Sequence, residues 1–103
     1  MADPMKIRAN AVGDATEVKV LMNHEMETGQ RKDAQGKVIP AWFIQNVSAT
    51  HNGKNVLTAQ WGPAISKNPF LSFKFKGGAK GDKVQITWVD NRGEKRTDEA
   101  TIA

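Results

Sequence analysis

Leu71-Ser72-Phe73-Lys74-Phe75-Lys76 alternates apolar and polar side chains without a break. Successive side chains of an extended chain point to opposite sides, so this stretch predicts a strand with Leu71, Phe73 and Phe75 buried and its lysines wet. The same period of two extends outward from it in both directions. On the C-terminal side Val84, Ile86 and Trp88 alternate with Gln85 and Thr87. On the N-terminal side Val18, Val20 and Met22 alternate with Glu17, Lys19 and the less polar Leu21, and Met5, Ile7 and Ala9 alternate with Lys6, Arg8 and Asn10. Two weaker runs, Trp42–His51 and Lys54–Trp61, flank Asn52-Gly53, which supplies both positive-φ positions of a type I′ turn and joins them as a hairpin. Within the second run Leu57, Ala59 and Trp61 form the inward set. A last strand, Glu94–Ile102, follows Asp90-Asn91-Arg92-Gly93, a type I turn with glycine at the αL bulge position.

No segment sustains the i, i+3, i+4 apolar spacing of a helix; Asn23–Thr28 has room for one helical turn before Gly29. About seven short strands joined by Gly, Pro and Asn turns predict an all-β fold, an immunoglobulin-like antiparallel β-sandwich, as a single domain over residues 1–103. A five-stranded OB-type barrel fits less well, because the strands are too many and no capping helix is present. The expected core is Ile7, Val18, Val20, Ile44, Val47, Leu57, Phe73, Phe75, Val84, Ile86 and Trp88.

The chain has 103 residues, enough for one core without staples. Fifteen Lys and Arg against 11 Asp and Glu leave a net charge of +4. The absence of cysteine excludes a disulfide scaffold, a zinc ribbon, a thiol enzyme and an iron–sulfur site. No apolar run approaches the ~20 residues that span a bilayer, so no membrane partner is expected. Met-Ala-Asp-Pro-Met-Lys-Ile-Arg carries charge where a secretory signal needs its hydrophobic stretch, so no signal peptide is expected.

Candidate chemistry is sparse. The two histidines, His24 and His51, lie on different elements, and His51 reads as a hairpin residue. The acids fall in turns and on polar strand faces, so no paired-carboxylate site forms and no catalytic residue is assigned. His24 with Met26 and Met22 resembles a soft-metal pattern suited to Cu(I), but the ligands are too few and Met22 falls on the buried side of its strand. No metal or other cofactor is expected. Lys76–Lys83 is glycine-rich yet lacks the P-loop spacing and the helix that must follow it, which leaves an inter-strand turn. Lysines interleaved with acids, without stacking aromatics, give no nucleic-acid reading.

From Asn23 to Ala41 the chain has no clear period, which is long for a connection in a small domain. Asp33-Ala34-Gln35-Gly36 repeats the turn form of residues 90–93 and predicts a protruding hairpin there. That hairpin is the first place to expect a contact surface. Trp42-Phe43, Leu21 and Pro69-Phe70 add apolar side chains that cannot all enter one core, the usual mark of a partner interface.

His24-Glu25-Met26-Glu27-Thr28-Gly29-Gln30-Arg31-Lys32-Asp33, followed by Gly36 and Ile39-Pro40, resembles the H-x-M-E-[TS]-G-x-R-x-D…G…I-P segment of SoxZ proteins. Asn52-Gly53-Lys54, Asn68-Pro69-Phe70-Leu71 and Thr87-Trp88-Val89-Asp90-Asn91-Arg92-Gly93 resemble that family's N-G-K, N-P-[YF]-L and T-W-x-D-x-x-G signatures, in order along the chain. Glu25 stands where the family also carries proline, and Ala49 where some members carry cysteine. The resemblance implies an immunoglobulin-like sandwich that pairs with SoxY as the non-catalytic subunit of the SoxYZ sulfur carrier of thiosulfate oxidation. SoxY holds sulfur intermediates on the cysteine of a C-terminal Gly-Gly-Cys-Gly-Gly arm; this chain ends Glu-Ala-Thr-Ile-Ala and is not expected to be the carrier. The resemblance also implies transient contact with other Sox enzymes, and a periplasmic location reached without a signal peptide of its own, by export with SoxY. His24, Met26, Glu27, Thr28, Gly29, Arg31 and Trp42 are the expected SoxY-facing residues. The isolated chain is left open between a monomer and self-association through that surface. The alternative reading is a stand-alone sandwich that binds a small anion or a soft metal.

Overall fold

The alternating stretches become seven strands in a computed structural model that describes residues 3–103. They are β1 (Lys6–Val12), β2 (Ala15–Leu21), β3 (Ile44–His51), β4 (Lys54–Gln60), β5 (Phe70–Lys76), β6 (Lys83–Asp90) and β7 (Lys95–Thr101). Every pairing is antiparallel, in a three-stranded sheet of order β1-β2-β5 and a four-stranded sheet of order β4-β3-β6-β7. This is the immunoglobulin-like sandwich read from the periodicity. The fourth strand stays beside the third because Asn52 and Gly53 take φ of 48° and 86°, closing a two-residue turn that leaves no chain with which to cross between sheets.

The core lies between the sheets. Val18, Val20, Ile44, Val47, Val84 and Ile86 are fully buried and Trp88 is 1% exposed, all on the inner strands β2, β3 and β6. Ile7, Leu57 and Phe73, also expected in the core, are only partly buried. They sit on β1, β4 and β5, each at the edge of its sheet, where only one neighbouring strand pairs along the full length. On β4 a register shift opposite Ala49/Thr50 blurs the alternation further, so that Val56 and Leu57 share the partial burial.

One side of the sandwich is stitched by the chain's last residues. Ala103 donates to the Ala9 carbonyl at 2.9 Å and accepts from Ala11 at 3.0 Å, while Ile102 sinks into the core at 2% exposure. No helical turn forms over Asn23–Thr28; Met26 takes φ 52°, which turns the chain back under β3 instead.

Candidate functional site

The segment between β2 and β3 is a hairpin, as the turn at Asp33 predicts. Glu27 and Trp42 face each other at its base, each N–H donating to the other's carbonyl at 2.6 and 3.0 Å. Farther out Lys32 bridges Val38. At the tip the Asp33 carboxylate accepts the N–H groups of Gln35 and Lys37 at 2.9 and 3.0 Å. Gly29 lies close against the returning arm, where a Cβ would stand 3.1 Å from that of Ala41.

Beneath this base lies a polar clamp built on Asp90. Asp90 is the last residue of β6 and falls in step with Val84, Ile86 and Trp88, so strand alternation turns its carboxylate inward, to 2% exposure. Oδ2 accepts from Trp42 Nε1 at 2.7 Å and faces His24 Nε2 at 3.1 Å. Oδ1 accepts the N–H groups of Arg92 and Glu94 at 3.0 and 2.9 Å. Burial raises the carboxyl's pKa, but these hydrogen bonds outweigh it and leave the group below the ordinary aspartate range.

His24 is fixed from every side. Its Nδ1 accepts the Met26 N–H at 3.1 Å, which assigns the ring proton to Nε2, facing Asp90. Its ring packs 5.0 Å from Trp42 and 5.1 Å, edge-on, from Trp88. Its main chain pairs with Asn68, whose Oδ1 accepts at 3.0 Å and whose N–H donates at 2.9 Å. Met26, 5% exposed, accepts the Ile44 N–H on its sulfur at 3.4 Å. Outside, the Arg92 guanidinium lies 4.3 Å from the centre of the Trp42 ring, a cation–π cover. Asn91 holds the returning arm through Phe43 N–H and Ala41 C=O.

The expected contact residues therefore divide. His24 and Met26, expected among the SoxY-facing residues, are instead buried at 5% exposure each, and Met26 takes a positive φ. Trp42 is half-buried and bonded to Asp90. Thr28 and Arg31 are exposed at the hairpin base, while Glu27 and Gly29 are half-buried beside them. Arg31 clasps the Glu27 carboxylate through Nε and Nη2, and this contact, against a smaller effect of burial, holds Glu27 below its ordinary pKa.

The clamp ties the hairpin base to the end of β6 through hydrogen bonds that engage its acid and its imidazole. The His24–Asp90 pair copies the base-and-orienter half of a hydrolytic triad, yet the second ring nitrogen is taken by a backbone N–H and the side chain is 1% exposed. In the soft-metal pairing of His24 with Met26, the His24 Nδ1 already accepts the Met26 N–H and the Met26 sulfur accepts the Ile44 N–H. Sequence reading missed Asp90, Asn91 and Asn68 as members of this site. The available signal was an acid in inward register at the end of the Val84-Ile86-Trp88 series, because a buried carboxylate demands donors. Three of the four motif segments quoted above meet here: the His24–Met26, Asn68-Pro69 and Asp90–Arg92 residues are one cluster. Asn52 sits at the opposite end of β6, against Lys83.

Fold and clamp together define an immunoglobulin-like β-sandwich with a pinned hairpin at one end. The chain belongs to the SoxZ family: the family model described as Sulphur oxidation protein SoxZ matches residues 5–101. Membership gives it a role in the sulfur-oxidising Sox system. A comparison with curated proteins finds no match. Among solved structures the chain is similar to a hypothetical protein from Pyrococcus horikoshii OT3, with TM-score 0.65 and 16% identity over 99% of this chain and 89% of that one. It is similar to a superoxide reductase in the oxidized state, with TM-score 0.63 and 16% identity over 99% and 89% of the two chains. Superoxide reductase (neelaredoxin) from Ignicoccus hospitalis gives 0.57 and 14% over 99% and 82%. At such identities the likeness is one of fold alone.

Proposed function

We propose that this chain is the non-catalytic subunit of a SoxYZ sulfur-carrier complex of thiosulfate oxidation, paired with a SoxY whose cysteine arm bears the sulfur. The family match over residues 5–101 carries this reading. The chemistry agrees with it. Covalent sulfur needs a thiolate, and the 103 residues contain no cysteine. A thiol-free neighbour also suits a loaded carrier, because a nearby thiolate would attack its persulfide or thiosulfonate by exchange. The outer side of the hairpin base, with Glu27, Thr28, Gly29, Arg31 and the Arg92-covered Trp42, is the proposed SoxY contact, held rigid by the clamp beneath. The complex works in the periplasm, exported on the SoxY signal, and meets the other Sox enzymes transiently.

Co-expression with SoxY followed by size-exclusion chromatography and intact mass tests the reading. The two chains are expected to elute together, and thiosulfate with the oxidising Sox enzymes is expected to add mass to SoxY alone. Separate elution overturns the pairing, and a stoichiometric adduct on this chain overturns its non-catalytic role. Periplasmic fractions of cells whose SoxY lacks its signal should lose this chain as well.

A further inference from the structure

The outward face of the β1-β2-β5 sheet carries Lys6, Arg8, Lys19, Lys74 and Lys76 against one acid, Glu17. That is a surplus of four positive charges, equal to the +4 of the entire chain, so the rest of the molecule is balanced. The register shows that these charges are gathered rather than spread. Arg8 stands directly across from Lys19, a like-charge pair that works against the sheet. Taken with strand and residue spacings, the cations form a diagonal band about 20 Å long, from Lys6 on β1 to Lys76 on β5.

An apolar corner adjoins the band. Leu21 and Phe70 are cross-strand partners, 42% and 62% exposed, and Lys6 is next to them in the same row. A recess at this corner is lined by Pro4, Lys6, Leu21, Met22, Asn23 and Asn68. β5 is also the open flank of its sheet.

We propose that this face docks an acidic protein surface that seats an apolar side chain on Leu21 and Phe70. Charge complementarity selects an acidic partner and steers its approach. Glu17 selects protein over a nucleic-acid strand: it lies within the band, 3.6 Å from Lys19 Nζ and 3.8 Å from Lys74 Nζ, where a continuous phosphate backbone would meet a carboxylate. Discrete carboxylates of a protein can straddle it. The exposed aliphatic–aromatic pair supplies the desolvated anchor that protein interfaces use.

The test needs no Sox partner, so its failure and that of the SoxY pairing are separable. The ¹⁵N-labelled full chain is titrated with an acetylated hexaglutamate peptide, with the same peptide carrying a central leucine, and with an oligothymidylate of equal charge. The leucine peptide is expected to shift the amides of Lys6, Arg8, Lys19, Leu21 and Phe70, to weaken with salt, and to bind better than hexaglutamate. Arg8→Glu with Lys76→Glu should weaken it by about tenfold while the thermal midpoint holds or rises. Lys32→Glu with Lys37→Glu, at the hairpin tip, reaches the same net charge and should leave binding intact. Equal loss in the two double variants, tighter binding of the oligonucleotide, or shifts confined to another face each overturn the proposal.

Discussion

Asp90 is the residue on which the candidate site turns, because four donors converge on one buried carboxylate. Asparagine in its place keeps the shape but turns an amide N–H₂ toward donors. Asp90→Asn is therefore expected to cost about 2–4 kcal/mol in urea unfolding, and a loss below about 1 kcal/mol would show that the clamp is not under load. The same carboxylate sets an acid limit. Its folded pKa is depressed, so its contribution is whole above the unfolded aspartate value of about 3.9 and is lost as pH falls below that through the folded value. Asp98, lowered chiefly by Arg96, and Asp82, lowered chiefly by His51, act in the same direction. The unfolding midpoint should fall steeply below about pH 4, with a visibly shallower slope in Asp90→Asn. Trp88 gives a second contrast. Trp88→Ala should cost about 3–5 kcal/mol. Trp88→Phe should cost much less, because the buried indole N–H has no hydrogen-bond partner among the described residues and its removal relieves that debt.

Among the elements, the β5–β6 connection shows how a glycine run can be structural. Gly78 has φ +89°, and a Cβ there would stand 2.2 Å from the Oγ1 of Thr16, a fully buried side chain bonded to the Gly77 carbonyl. Gly81, at φ +93°, faces open space. Gly78→Ala is expected to cost about 2–4 kcal/mol, from left-handed strain plus overpacking, and Gly81→Ala about 1–2 kcal/mol from strain alone. Equal costs by thermal unfolding would remove Thr16 from the account. The strands themselves were legible in the sequence, because a sheet with one wet face writes its period into side-chain polarity. So were the Asn52-Gly53 and Asp33–Gly36 turns, whose residue types match the backbone they adopt. Which inward residues are fully covered was not legible: Ile7, Leu57 and Phe73 have the right phase, but their exposure depends on strand order. The inward turn at Met26 was hidden too, since methionine carries no signal for positive φ.

At the scale of the whole molecule, the sandwich and its hairpin measure 53 × 20 × 20 Å, long for a chain of this size. Elongation separates residues that hold the hairpin from those that face out of it. Met26 belongs to the first group, and Met26→Ala should cost about 2–4 kcal/mol of stability, with SoxY affinity unchanged at temperatures where the variant remains folded. Thr28 and Arg31 belong to the second, and the exposed Arg31 side chain is paired with the largely covered Glu27 carboxylate. Thr28→Ala with Arg31→Ala should leave the thermal midpoint near that of the parent. If the hairpin base faces SoxY, the same pair should weaken association by about tenfold, since a few central side chains carry most of an interface's energy. Calorimetric titration against SoxY, run beside thermal unfolding of each variant, separates the two groups. Full affinity in the Thr28/Arg31 variant would move SoxY off the hairpin. The Arg8→Glu, Lys76→Glu chain then becomes the decisive ligand: lost SoxY binding there would identify the acidic partner of the β1-β2-β5 face as SoxY itself.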